Sequence, residues 1–237
     1  MTPTRFFSAT ALLLVAGFQP VLASIQIGTT RVIYHAAEKD VSVKITNPGK
    51  YPVLLQSWTD DEHVDTRPDA MLTPFILTPP LTRVNADTGQ TLRLSYAGTP
   101  LPQDRESIYW LNVLEIPPIE AKDTNQIQVA FRSRIKLFFR PNALDDKGAQ
   151  AAITQLRWQV KSNKIILSNP TPYYVSTVAV NLNQGGKKIS LTADMIPPRG
   201  SAAFINPLGA IAAGELSVTV DAINDYGAYV TAPVSQM

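Results

Sequence analysis

Cysteine is absent from all 237 residues, which excludes disulfides, thiol nucleophiles, thiolate metal sites and redox exchange at once. Histidine is almost absent too: His35 and His63 are the only two, too few for the three or four nitrogen and sulfur ligands of a zinc or copper site. There is no Gly-rich phosphate loop and no Gly-x-Ser-x-Gly turn, and context suggests no Ser, His and Asp set. No catalytic residue is therefore assigned, no metal and no cofactor is implied, and no enzyme is read here. Runs of like charge are missing as well. The 21 basic and 19 acidic residues leave a formal net charge of +2, without the electrostatic footprint of a nucleic-acid binder.

Charged residues are only 17% of the chain and hydrophobic ones 45%, so a packed core is affordable and disorder is not expected. The one long apolar run is at the start, in "MTPTRFFSATALLLVAGFQPVLA". Arg5, the apolar stretch from Ala11 to Phe18 and the small residue Ala23 read as a secretory signal peptide over residues 1–23, cut after Ala23. The run falls short of the roughly 20 residues that span a bilayer, so no membrane insertion is expected. An exported protein follows.

Helical periodicity is scarce in the rest, whereas alternating runs recur: "VSVKIT", "YPVLLQSW", "QTLRLSY", "IYWLNVLEI", "YYVSTVAVNL" and "LSVTVDAI". Turn residues separate them, among them Asn47-Pro48-Gly49, Pro117-Pro118, Asn169-Pro170 and Gly185-Gly186. Many short strands at this spacing predict an all-β fold of sandwich or barrel type. The polar, helix-tolerant interruption "NALDDKGAQAA", residues 142–152, reads as a linker between two immunoglobulin-like β-sandwich domains, residues 24–141 and 153–237. The acidic cluster "DDEHVD", Asp60 to Asp65, lacks the spacing of a calcium loop and reads as a solvated loop.

One strand stands out. "IQVAFRSRIKLFFRP", residues 127–141, alternates Ile127, Val129, Phe131, Ile135, Leu137 and Phe139 with Gln128, Arg132, Arg134, Lys136 and Arg140. It is about twice the usual strand length of about 5 to 6 residues. Taken alone, Arg31 in "IGTTRVIYH" and Lys136 are solvated face residues with their stems on apolar surface.

Taken together, several stretches resemble the periplasmic pilus chaperones, paired immunoglobulin-like domains set in a boomerang or L shape. They are "TRVIY" (30–34), "FILTPPLTRVNADTGQTLRLSY" (75–96), "LPQDRES" (101–107), "YWLNVLEIPP" (109–118), "RIKLFFRP" (134–141), "NPTPYYV" (169–175), "MIPPRGS" (195–201) and "INDYGA" (223–228). The resemblance implies a chaperone that completes fimbrial (pilin) subunits by donating a strand and delivers them to an outer-membrane usher. Subunit release would then come from replacement of that strand by another subunit's extension. It further implies that Arg31 and Lys136 hold a subunit's C-terminal carboxylate, and that Ile127, Val129 and Phe131 enter the groove of an incomplete subunit by strand addition. Lys136 has the opposite parity to these three, so one strand can present both surfaces.

By the same resemblance Glu106, Arg140 and Asp225 form an interdomain ion network. The short segment "IEAKDTNQ", residues 119–126, resembles the family's short-loop class. An unblunted edge of this kind is sticky, and the free form is expected to cover it by self-association, as a homo-oligomer. The alternative is an immunoglobulin-like fimbrial subunit or adhesin module, which would be one shorter domain.

Overall fold

Alternation of apolar and polar residues becomes paired strands along most of the chain in the computed structural model, which describes residues 25–62, 73–118, 129–162, 164–205, 207 and 216–237. The segment read as a signal peptide lies outside the described residues. In the first half, one sheet runs β1 (Gln26–Ile27), β3 (Val41–Asn47), β7 (Thr88–Tyr96), β5 (Phe75–Thr78) in that spatial order. The facing sheet has the order β2 (Arg31–His35), β9 (Phe131–Arg140), β8 (Ser107–Ile116), β4 (Val53–Asp60), β6 (Leu81–Val84). Alternate residues meet between the sheets: Val43, Ile45, Leu92 and Leu94 from one, and Val32, Tyr34, Leu55, Leu111, Val113, Leu137 and Phe139 from the other. The Tyr34 hydroxyl donates to the Glu38 carbonyl and accepts from the Tyr96 amide, which lets a phenol sit in an apolar core.

The second half is built from β10 (Arg157–Lys161), β11 (Lys164–Ser168) and β14 (Ser201–Ile205), packed against β12 (Thr177–Gln184), β13 (Lys187–Thr192), β15 (Leu216–Ile223) and β16 (Tyr229–Gln236). Trp158, Ile165 and Leu167 on the first set meet Val180, Leu182, Val218 and Val220 on the second. A short parallel pairing of β10 with β16 stitches the two sets along one side. Gly185 and Gly186, read as a hairpin turn, both take positive φ between β12 and β13, the conformation that a two-residue turn of type I′ demands.

The segment read as a linker differs. Residues Asp146–Gln155 form helix α1, capped by Asp145, whose carboxylate accepts from the Gly148 amide at 2.7 Å. Its Ala152 and Ile153 are buried in the second core. The apolar stripe is made mainly of alanines, so its periodicity is faint in the sequence. The Tyr173 ring lies where a Gly148 side chain would stand, which fixes glycine there. No helix among the described residues is long and apolar enough to cross a membrane.

Candidate functional site

The unusual strand is β9, and its two edges are not alike. On one side β8 pairs with it along all but its last residue, from Ser107 opposite Phe139 to Glu115 opposite Phe131. On the other side β2 covers only half, from Arg31 opposite Lys136 to His35 opposite Arg140. Among the described residues, the backbone edge of Phe131 to Ile135 away from β8 therefore carries no strand. Phe131 is 61% exposed and Val129 54% exposed, an unusual state for large apolar side chains in a row. The alternating pattern predicted a strand from Ile127, but the described strand begins at Phe131. Its partner β8 stops at Ile116, and the following Pro117-Pro118 offer no N–H to continue the ladder. Val129 precedes the strand, and Ile127 lies outside the described residues.

Arg31 and Lys136 are direct neighbours across the parallel pairing, at the point where coverage by β2 begins. Arg31 is buried; its guanidinium donates to the Ile223 carbonyl of β15 at 2.8 Å, and its Nε has no partner among the described residues. Burial lowers the Arg31 pKa, with the Asp225 carboxylate acting against it. Burial likewise lowers that of Lys136; Asp194 works in the opposite direction and the Arg31 charge adds to the lowering. Two adjacent, partly dehydrated cations thus stand at the end of an open edge, an arrangement that an incoming carboxylate relieves.

Behind them the two halves are joined through Arg140, which is 1% exposed. Its Nε donates to Glu106 at 2.8 Å, and its terminal nitrogens reach Asp225 at 2.8 Å and Asp146 at 2.5 Å. Burial alone would lower the guanidinium pKa; the Glu106 and Asp225 carboxylates more than reverse this, so it stays charged. Glu106 also accepts from the Tyr174 amide at 2.8 Å. The structure therefore brings Glu106, Arg140 and Asp225 together. It adds two residues that the sequence reasoning missed: Asp146, and His35, whose Nε2 lies 2.8 Å from that carboxylate. The Asp145-Asp146 pair opening a helix six residues after Arg140 was the one available signal. Phe138 packs on Tyr174, and a cavity of about 240 Å³ bounded by Arg31, Phe138, Ile153 and Asp225 lies in the interdomain cleft.

Residues 24–145 match the family described as pili and flagellar-assembly chaperone, PapD N-terminal domain, and residues 151–233 match pili assembly chaperone PapD, C-terminal domain. The chain belongs to the PapD-type pilus-assembly chaperones. Chaperone protein MrkB of Klebsiella pneumoniae is 40% identical over 219 residues, 90% of this chain and 91% of that one. The crystal structure of the Pseudomonas aeruginosa CupB2 chaperone aligns with a TM-score of 0.74 at 36% identity, covering 88% of this chain and 99% of that one. The SafB chaperone of Salmonella enterica, solved in complex with SafA pilin, aligns with a TM-score of 0.73 at 31% identity, covering 89% and 94%. With both halves matching chaperone domains, the fimbrial-subunit or adhesin alternative has no support.

Two further features of this chaperone bear on the cleft. The acidic cluster at residues 60–65 is not simply solvated: Asp60 is 1% exposed and holds Arg134 through two hydrogen bonds, at 2.5 and 3.2 Å, while residues 63–65 lie outside the described residues. Charge pairing with a residue on β9, far off in sequence, is what buries it. The second is Gly227, which turns the Asn224–Ala228 loop with a φ of 79° against the first domain. A Cβ there would stand 2.5 Å from the Thr30 hydroxyl oxygen. Gly227→Ala is expected to lower stability by about 1–3 kcal/mol, from backbone strain plus the clash. The double variant with Thr30→Ala should recover the clash and leave the strain, as read from urea midpoints at unchanged m-value.

Proposed function

We propose that this chaperone acts in the periplasm, without catalysing a reaction, by lending the open edge of β9 to newly exported pilin subunits that lack a strand, and then passing them to an outer-membrane usher. The single observation that carries this reading is the half-covered strand: among the described residues, β9 is paired on both sides where it belongs to its own core and by a strand on one side only from Phe131 to Ile135. Backbone groups of that edge would pair with the subunit, while Phe131 and Val129, with Ile127 beyond the described residues, would fill successive pockets of its groove. Arg31 and Lys136 would hold its terminal carboxylate and so set the register. The arrangement needs no nucleotide, since burying apolar side chains supplies about 1.5–3 kcal/mol each. The Arg140 network would hold the cleft at one angle.

Phe131→Asp tests this directly. A charge in a subunit groove costs far more than the lost apolar burial, whereas the exposed side chain has little to do in the free chaperone. The variant is expected to retain its melting temperature within a few degrees and to lose co-purification with co-expressed pilin. Normal pilin yield would end the strand-donation reading.

A further inference from the structure

On the outer face of the five-stranded sheet, one cross-strand row contains Asp60 of β4, Trp110 of β8, Lys136 of β9 and Arg31 of β2, each paired directly with the next. A buried carboxylate thus ends the row that the two cleft cations begin. Between them lies an indole, and the Lys136 ammonium is 5.9 Å from its centroid, within the range of a cation–π contact. The ring is in turn covered by Arg134, whose guanidinium carbon lies 4.1 Å from the same centroid.

Arg134 belongs to the neighbouring row, opposite Asn112. It leans across to Asp60, which also accepts from the Asn112 amide at 2.7 Å and from the Glu62 backbone N–H at 3.0 Å. A two-point grip on a planar guanidinium fixes direction as well as distance. The Trp110 Nε1 is buried with no hydrogen-bond partner among the described residues, so the ring is held by contact with its faces and not through its N–H.

We propose that Asp60, Arg134 and Trp110 form a positioning column for Lys136: Asp60 clamps Arg134, Arg134 stacks the indole, and the indole aims the ammonium at the carboxylate site beside Arg31. Asp60 also offsets the charge of Arg134, so the column supplies a platform without adding a third free cation to the site. Lysine is flexible and strongly hydrated, with much rotamer freedom to lose; a fixed aromatic face reduces what is lost when it engages a carboxylate. None of the three column residues is itself placed against the ligand. The inference rests on Lys136 being a carboxylate anchor, and the experiment separates the two ideas.

The probe is a fluorescent peptide of alternating valine and threonine ending in phenylalanine, prepared both as the free acid and as the C-terminal amide. Its binding to the mature chaperone is followed by anisotropy. The free acid is expected to bind at least tenfold more tightly than the amide, and Lys136→Ala to erase that ratio. Trp110→Leu and Asp60→Asn should each reduce the ratio at least threefold with amide affinity unchanged, and Trp110→Phe should keep most of it. In parallel, the upfield ring-current displacement of the Lys136 ε-methylene protons should vanish in Trp110→Leu, persist in Trp110→Phe and shrink in Asp60→Asn. A merely structural column would weaken acid and amide alike and leave their ratio intact. A full ratio in Trp110→Leu and Asp60→Asn, alongside a lost one in Lys136→Ala, overturns the positioning role and leaves the anchor standing. No discrimination by the unmodified protein overturns both.

Discussion

Arg140→Ala is expected to cost about 3–5 kcal/mol of unfolding free energy, the magnitude for removing one partner of a buried ion pair. The reason is what remains behind. Glu106, at 4% exposure, would keep the Tyr174 amide as a partner but lose its counter-charge, and Asp225 and Asp146 would lose the guanidinium they share. Burial already pushes the Glu106 carboxyl up, with Arg140 the chief opposing influence; without Arg140 it rises further. An acid whose folded pKa lies above its unfolded value, about 4.3 for glutamate, contributes stability that is fully present below that value and lost as pH rises through the folded one. The deficit of Arg140→Ala relative to the unmodified chaperone should therefore be smallest near pH 4 and grow toward neutrality. Urea titrations at several pH values measure it. Arg140→Met combined with Glu106→Gln removes both charges while keeping an acceptor for Tyr174, and should recover part of the loss. A deficit that is flat with pH, or no recovery in the pair, would mean that the network does not carry the interdomain joint.

Strand faces were legible because period-two alternation is a local property: Val43 and Ile45, or Leu137 and Phe139, declare their side of the sheet without reference to anything distant. Partners were not legible in that way. The Arg140 side chain reads from its own strand as one more outward cation; only resemblance linked it to Glu106 and Asp225, and nothing linked it to Asp146 or His35, which lie on separate elements. Asp60 failed for the same reason. Its neighbours in sequence are polar, and the residue that buries it, Arg134, is 74 positions away. The helix over 146–155 was faint because alanine contributes little to an apolar stripe. The start of β9 was misplaced because a strand is defined by its neighbour, and the neighbour ends at Ile116.

Lys136→Ala and Arg31→Ala are each expected to abolish accumulation of the partner pilin in the periplasm, and the two do not test the anchor equally well. Arg31 also donates to the Ile223 carbonyl, so its loss disturbs the contact between the domains as well as the charge pair. Lys136 makes no ion pair among the described residues, and its own surroundings lower its pKa, so replacing it should leave the melting temperature unchanged or slightly raised. Each charge-assisted hydrogen bond to a carboxylate is worth about 1.5–3 kcal/mol, and a bidentate or paired grip also fixes where the chain ends. Losing one cation therefore weakens binding by about ten- to a hundredfold and frees the register, which displaces every pocket residue of an edge whose side chains alternate with a period of two. That second effect makes a tenfold affinity change sufficient to eliminate folded subunit. Lys136→Arg restores the charge with a different reach and geometry, so it should rescue accumulation only partly. Immunoblots of periplasmic extracts, with circular dichroism melts of each purified variant, distinguish the cases; pilin at normal levels in Lys136→Ala would remove the carboxylate anchor whatever Arg31→Ala does.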